Sequence, residues 1–391
     1  MTDNIKRFTD SKFSGGAIRQ QRVGPDKEDD RGIMERRQIV INGKFLGGGL
    51  TGVHRVAHEL LSAITDGGTL DFEILTPSGE PMPALRASMP VRAVGHLHGQ
   101  LWEQIDLPRA AQGRLILSLC NLAPVATRNA VTMIHDAQVF ITPESYSLAF
   151  GAWYRLILRQ IGRRHRRILT VSHFSKQQLI RYDIAPAERI EVIHNGADHI
   201  LRVAADPGIL GRLGLERHGY AVGLANTQSH KNITLLLRAF ARPDMARLKL
   251  VLVGGASRTD FEALGKLVPA NVIFAGSVAD DALRGLLEGA LCLAFPSLTE
   301  GFGLPPLEAM VLGCPAVIAP CGALPEVCGS AAIKADPADP AAWSSAILSL
   351  ARDAAAWSTR SAAGRRHAAE FTWKRAAALL RAALADLAVA A

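Results

Sequence analysis

Residues 290–319 read ALCLAFPSLTEGFGLPPLEAMVLGCPAVIA. The apolar run ALCLAF has the length and texture of a buried strand, and Pro296 closes it. Gly301 and Gly303 make a loop. Pro305 or Pro306 then opens a helix at its first turn, where a missing N–H leaves nothing unsatisfied. After Gly313 the run PAVIAP is a strand again. Strand, glycine loop, helix and strand in succession imply a parallel sheet covered on both faces, an α/β fold.

The same alternation extends outward in both directions. Toward the N-terminus, RQIVING, DFEILTP, RLILSLCN, AVTMIHDA, RRILTVSH and RIEVIHNG read as strands, and VHRVAHELLSAI as a helix with Val53, Val56, Leu60 and Leu61 on one face. YAVGLANT, KLVLVGG, NVIFAGS and AAIKAD are the strands nearer to the opening stretch. Between the two series, residues 201–219 turn to ADPGILGRLGLERHG, with turn residues and weak periodicity. The expected organisation is a mobile tail at 1–37 and Rossmann-like domains at 38–200 and 220–372. A linker at 201–219 joins them, and a C-terminal helix follows at 373–391. Met34, followed by ERRQIVING, is an alternative start.

Composition agrees with this reading. The chain has 391 residues, 48% hydrophobic and 20% charged, enough apolar material for two cores and unlike a disordered chain. Five cysteines are an odd count, against a disulfide framework. Cys314, Cys321 and Cys328 are too widely spaced for the usual zinc pairs and read as small buried side chains. The opening residues lack the apolar core of a signal peptide. The longest apolar stretch, 115–126, falls short of the roughly 18 residues of a membrane span. A reduced, cytoplasmic protein, soluble or attached to a membrane surface, is expected.

In parallel sheets, ligands bind beyond the carboxyl ends of the strands, so the residues there carry the function. Glu300 precedes the Gly301-Phe302-Gly303-Leu304 loop and Glu308 lies in the helix after it. Glycines let backbone N–H groups approach a ligand, a helix N-terminus favours a phosphate, and the two carboxylates accept from separate hydroxyls. With Glu308 supporting only its helix dipole and Glu300 only capping the turn, the pair would be structural. Lys231-Asn232 open a helix after YAVGLANT. A lysine at a helix N-terminus is unfavourable unless an anion binds there.

The 296–319 segment resembles the donor-site signature of family 4 retaining glycosyltransferases of the GT-B fold, in which two Rossmann-like domains face a central cleft. VSHFSK, VIHNGAD, LPEVCG and ADPADP follow in the family's order, from about Ile39 to at least Trp343. The resemblance implies that Glu300 contacts the transferred sugar and that Glu308 binds the nucleotide ribose. The amides of Phe302, Gly303 and Leu304 would lie near the sugar and diphosphate, and Lys231 would stabilise the departing diphosphate. Many relatives carry an arginine five or six residues before this lysine. Here Asn226 and Ala225 stand there, and Arg258 is the candidate replacement. The loop Gly47-Gly48-Gly49 matches the one that closes on the diphosphate, which makes Gly48 and Gly49 donor contacts. Arg55, just beyond, faces either acceptor or solvent. His135, at a strand end, matches a family histidine near the reacting sugar and acceptor. Hydrogen bonding is its favoured role, with general-base catalysis the other. Asp136 would orient it, and Tyr146 would help shape an acceptor pocket.

Nothing in the donor region resembles a metal-binding D-x-D, and Asp336-Pro337-Ala338-Asp339 reads as a turn into a helix. No metal and no cofactor are expected. Fixed positive charge and helix dipoles would balance the diphosphate, with retention of anomeric configuration implied by the resemblance.

The formal charge is +8, and its location matters. The tail to Arg37 holds nine basic and seven acidic residues; residues 151–170 hold six arginines and no acid, which together account for the excess. Arg155, Arg159, Arg163, Arg164, Arg166 and Arg167 either edge a sheet-packing helix or form a patch for anionic lipid headgroups. No nucleic-acid module accompanies them, so nucleic acid is not an expected partner. The expectation is a glycosyltransferase moving a hexose from a nucleotide-diphosphate sugar to a glycan acceptor, carried by a lipid such as polyprenyl diphosphate. The HDAQ and ANTQSHKN segments look like those of bacterial exopolysaccharide mannosyltransferases, which makes GDP-mannose the first guess. A small soluble acceptor, as in a disaccharide or glycoside synthase, and a silent nucleotide-sugar binding module are the alternatives.

Overall fold

The computed structural model describes residues 38–49, 51–64, 70–79 and 89–389. The tail expected at 1–37 lies outside them. Among the described residues thirteen strands form two sheets. The first contains β1 (Gln38–Asn42), β2 (Asp71–Pro77), β3 (Val91–Val94), β4 (Ile116–Ser118), β5 (Ala130–Met133), β6 (Arg167–Thr170) and β7 (Ile190–Val192). Its order is β3-β2-β1-β4-β5-β6-β7. The second contains β8 (Tyr220–Leu224), β9 (Lys249–Val253), β10 (Val272–Gly276), β11 (Cys292–Phe295), β12 (Ala316–Ile318) and β13 (Ile333–Lys334), ordered β10-β9-β8-β11-β12-β13. All pairings are parallel. The fold is therefore two Rossmann-like domains, as the strand texts imply.

Each sheet reverses its winding once, between β1 and β4 and again between β8 and β11. A crevice opens beyond the carboxyl ends at such a switch point. The central strands are buried on both faces, with Val40, Ile41, Leu117, Val222, Val251 and Leu293 at 0–1% exposure, so continuous apolar runs rather than alternation mark them.

Helix Gly52–Ile64 buries Val56, Leu60, Leu61 and Ile64, one turn apart on a single face. Leu60→Ala would cost about 2–5 kcal/mol by opening a cavity in that layer. The C-terminal helix Trp373–Val389 packs on this helix of the first domain. Arg381 there donates to the Ile64 carbonyl, and Arg167 of β6 pairs with Asp386. Its approach requires Gly196: a Cβ there would meet the Trp373 nitrogen at 2.2 Å.

Two elements escape the sequence reading. Strand β3 is an edge strand with Arg92 and Ala93 exposed, so it shows no apolar run; Arg92 pairs with Glu73 of β2. Residues Trp102–Asp106 form a π-helix, an insertion that leaves no periodic signature.

Candidate active site

The loop after β11 is held from both domains. Gly303 has φ +103 and caps the helix Leu304–Val311, which carries proline in its first turn. A Cβ on Gly303 would strike Leu324, and one on Gly301 would lie 2.5 Å from the His135 carbonyl. Glycine is required at 301 because the loop backbone touches the first domain. The Gly301 carbonyl accepts from Ser172 Oγ at 2.6 Å and Ser175 Oγ at 3.0 Å, and Ser175 Oγ also reaches the His135 carbonyl at 2.9 Å. The serines of VSHFSK thus pin the glycine loop across the cleft. Glu326 of LPEVCG makes a parallel link, accepting from the backbone N–H of His173 and Phe174 and bonded to His194 Nε2 at 2.8 Å. Those contacts hold its carboxyl below the usual range against the opposing effect of burial.

Lys231 ends a short 3-10 turn, Ser229–Lys231, and Asn232 at φ +55 leads into helix Ile233–Phe240. Its Nζ lies 2.7 Å from Glu300 Oε1, with both side chains largely buried. The β8 and β11 loops that carry them are tied where Leu298 N–H donates to the His230 carbonyl at 2.7 Å. Lys231, Glu300, Phe302, Gly303, Leu304, His135 and Asp136 all line one cavity of about 450 Å³. Asn226 also lines this cavity and a wider one of about 690 Å³ beyond β8 and β9.

His135 is buried. Its Nε2 lies 2.8 Å from the Leu119 carbonyl, which only accepts, so Nε2 carries the hydrogen and Nδ1 is the acceptor nitrogen. Burial pushes the imidazole down to about 4, leaving it neutral at pH 7. Burial raises the Asp136 carboxyl, helped by the nearby Glu300 charge, while its Oδ1 accepts from Gln138 N–H at 2.8 Å. No bond to His135 from the Asp136 side chain accompanies this, so Asp136 orients the following turn rather than the imidazole. Tyr146 lines neither cavity; it stacks on Phe150, and burial with the Asp136 charge pushes its phenol up.

Glu308 sits away from the cavity lining, buried, with Oε1 2.9 Å from His199 Nε2. Trp373 Nε1 donates to His199 Nδ1 at 3.1 Å. An indole only donates, so this bond fixes the His199 tautomer with its hydrogen on Nε2, directed at Glu308. Beside them Arg55 makes two bonds to Asp280, at 2.8 and 2.7 Å. Arg55 therefore faces the second domain, and neither acceptor nor solvent. The sequence reading missed His199 and Trp373 because no short motif links residues so far apart. It also missed Asn195, whose buried Oδ1 has no partner among the described residues and which lines the 450 Å³ cavity.

Three further expectations change. Arg258 is no replacement cation for the cleft: its guanidinium donates to the carbonyls of Val268, Pro269 and Val272 and lies over the Phe274 ring. Gly48 lines a separate cavity in the first domain, and the Gly49 carbonyl is bonded to His54 Nδ1. The six arginines do not form one surface. Arg166 and Arg167 bind the C-terminal helix through Leu387, Ala383 and Asp386, Arg163 pairs with Asp183, and Arg155 and Arg159 donate to the Val139 and Tyr182 carbonyls. Helix Leu148–Arg164 leaves Arg163 and Arg164 exposed at its end, and it also exposes Leu148, Phe150, Trp153 and Leu156. Among the described residues no helix is long and apolar enough to cross a membrane.

Comparison with known proteins fits this geometry. Residues 50–200 match the family model described as Glycosyltransferase Family 4, and residues 218–353 match Glycosyl transferases group 1. The chain is 35% identical over 236 residues to O-antigen chain mannosyltransferase B of Escherichia coli, covering 58% of this chain and 62% of that protein. The alignment thus spans about three-fifths of that curated relative's length. Sucrose-phosphate synthase from Thermosynechococcus elongatus superimposes with a TM-score of 0.72 at 17% identity, over 91% of this chain and 100% of that one. Anabaena HepE, solved in complex with UDP-glucose, gives 0.68 at 19% identity, over 89% of this chain and 100% of that one. The first domain therefore belongs to Glycosyltransferase Family 4 and the second to Glycosyl transferases group 1, and their two parallel sheets make the GT-B fold.

Proposed function

We propose that this chain is a retaining, metal-independent glycosyltransferase that moves a hexosyl group from a nucleotide-diphosphate sugar to a glycan. Mannose from GDP-mannose is the first candidate, and bacterial surface-polysaccharide or glycolipid synthesis is the setting. The observation that carries this reading is the Lys231–Glu300 pair on the wall of the cavity that also receives Phe302, Gly303 and Leu304. An ammonium, a hydroxyl acceptor, loop amides and a helix N-terminus are the set that a sugar diphosphate needs. The kinship with an O-antigen mannosyltransferase supports the choice of sugar.

In this reading Lys231 and the N-terminus of helix Leu304–Val311 hold the diphosphate, and Glu300 accepts from hydroxyls of the transferred sugar. Glu308 takes the ribose hydroxyls, and the base occupies the wider cavity joined through Asn226. The bond between the anomeric carbon and the diphosphate oxygen breaks as the acceptor oxygen bonds to the same carbon on the same face. A histidine held near 4 is a poor base at neutral pH, so the acceptor proton passes to the departing phosphate oxygen. His135 accepts through Nδ1 from a hydroxyl of the sugar or acceptor. The exposed Leu148, Trp153 and Leu156, flanked by arginines, suit contact with an anionic membrane on the cytoplasmic face, where a lipid-linked acceptor would be met. Thermal shift with a panel of nucleotide sugars tests the donor: GDP-mannose is expected to stabilise the protein most, and no response to any member would overturn the reading.

A further inference from the structure

The first sheet has its own switch point, between β1 and β4, and a second cavity opens there. It measures about 310 Å³ and takes residues from the ends of both strands: Asn42, Lys44 and Phe45 after β1, Cys120 and Leu122 after β4. That is the lower end of the range for small-molecule sites, about 300–1,000 Å³, and suits one sugar ring.

Its floor is polar and organised. Glu103, 2% exposed, is delivered by the π-helix Trp102–Asp106, an irregularity that concentrates at functional sites. Its Oε1 accepts from Asn42 Nδ2 at 2.7 Å and its Oε2 from Lys44 Nζ at 2.9 Å. Gln100, with its amide turned to satisfy both ends, bridges the same pair. Phe45 and Leu122 supply apolar wall. His54 forms the remaining side, Nδ1 spent on the Gly49 carbonyl and Nε2 left for a ligand. A Cβ on Gly48 would stand 3.1 Å from that ring, so glycine there leaves the ring its place.

The cavity adjoins the reacting cleft. His135 bonds through Nε2 to the Leu119 carbonyl and through its N–H to Asn121, while Cys120 and Leu122 of the same four-residue segment line the cavity. Gly48 and His54 line the cavity, while Thr51 and Gly52, between them in the chain, line the cleft.

We propose that this cavity is the acceptor subsite and that it receives a neutral pyranose, recognised through hydroxyls by the Lys44–Glu103 pair and His54. The reasoning rests on the glycosyltransferase reading of the cleft. Charge decides the substrate class. The Lys44 ammonium is already matched by Glu103, so the cavity offers no uncompensated positive charge to a phosphate or carboxylate, and the carboxylate repels both. With Glu103 and Gln100 each taking one of its three N–H groups, the Lys44 ammonium keeps one to donate to a hydroxyl, and the neighbouring carboxylate accepts from the vicinal one. The expected acceptor end is an unphosphorylated sugar residue rather than a sugar phosphate or uronate.

Saturation-transfer NMR and calorimetry on the full chain with GDP present, using methyl α-D-mannopyranoside and mannose 6-phosphate as probes, test this. The neutral glycoside is expected to bind at least about tenfold more tightly than the phosphate, since a phosphate would force the paired charges apart. Leu122→Trp, which fills the cavity, is expected to abolish glycoside binding, and Glu103→Gln to weaken it about tenfold. Tighter binding of mannose 6-phosphate would overturn the proposal without reference to any variant. So would glycoside affinity unchanged in folded Leu122→Trp. If no nucleotide sugar is consumed but glycoside binding follows these changes, the transferase reading fails and the sugar subsite stands. Donor turnover with glycoside binding indifferent to the cavity gives the reverse result.

Discussion

The Lys231 ammonium lies 2.7 Å from the Glu300 carboxylate, although their positions are 69 residues apart and their loops leave different strands. Both strands, β8 and β11, flank the switch point of the second sheet, so the topology alone brings them together. Without donor each neutralises the other. A sugar diphosphate would draw the ammonium toward phosphate and leave the carboxylate for hydroxyls. Lys231→Ala is therefore expected to reduce turnover about 10²–10³-fold, as for other lost electrostatic stabilisers. Steady-state release of nucleoside diphosphate measures this, with circular dichroism confirming the fold. An undiminished rate would remove Lys231 from the chemistry.

If Glu308 takes the ribose hydroxyls as proposed, the chain Trp373–His199–Glu308 makes the C-terminal helix a support of the donor site. His199→Gln keeps an N–H donor aimed at Glu308 and is expected to retain most nucleotide affinity. His199→Leu leaves that buried carboxylate without its partner and is expected to lose about 1.5–3 kcal/mol of it. Calorimetry with GDP and a 2′,3′-dideoxy analogue separates the roles, because the analogue cannot use Glu308. Equal losses for both ligands would show that His199 acts on folding alone.

Two buried histidines predict how stability depends on pH. Burial pushes His135 and His165 down to about 4 from 6.5. Between these values the unfolded chain binds protons that the folded one does not, so stability falls as pH is lowered from 6.5 toward 4. Each contributes up to roughly 3 kcal/mol by linkage. Urea denaturation at pH 6.5 and pH 5 checks the sign, and equal or greater stability at pH 5 contradicts it.

If helix Leu148–Arg164 meets a membrane, its apolar edge matters more than Arg166 and Arg167, which are occupied by the C-terminal helix. Replacing Trp153 and Leu156 with serine is expected to abolish flotation with phosphatidylglycerol-containing liposomes. Flotation that persists unchanged would place the contact elsewhere.

Much of this was legible in the sequence because central parallel strands are apolar throughout and end in loops where ligands bind. LCLAFPSLTEGFG carries strand, turn chemistry and Glu300 in one line, and β8 with Lys231 does the same. What stayed hidden depends on distance in the chain. Arg258 and Arg166 look like free cations in text, but carbonyls far along the chain or in other elements consume them. Glu103 lies in a π-turn with no periodicity, and its partners Asn42 and Lys44 are about 60 residues away. Edge strand β3 has too few buried residues to announce itself.

The most direct test of the central claim is nucleotide release from GDP-mannose with a mannose-terminated glycan acceptor, comparing the wild-type chain with Glu300→Ala. The account predicts GDP and an α-linked extended glycan from the wild type, and a loss of at least about 10²-fold in the variant. Equal turnover by both proteins, or an inverted β-linkage in the product, would contradict it.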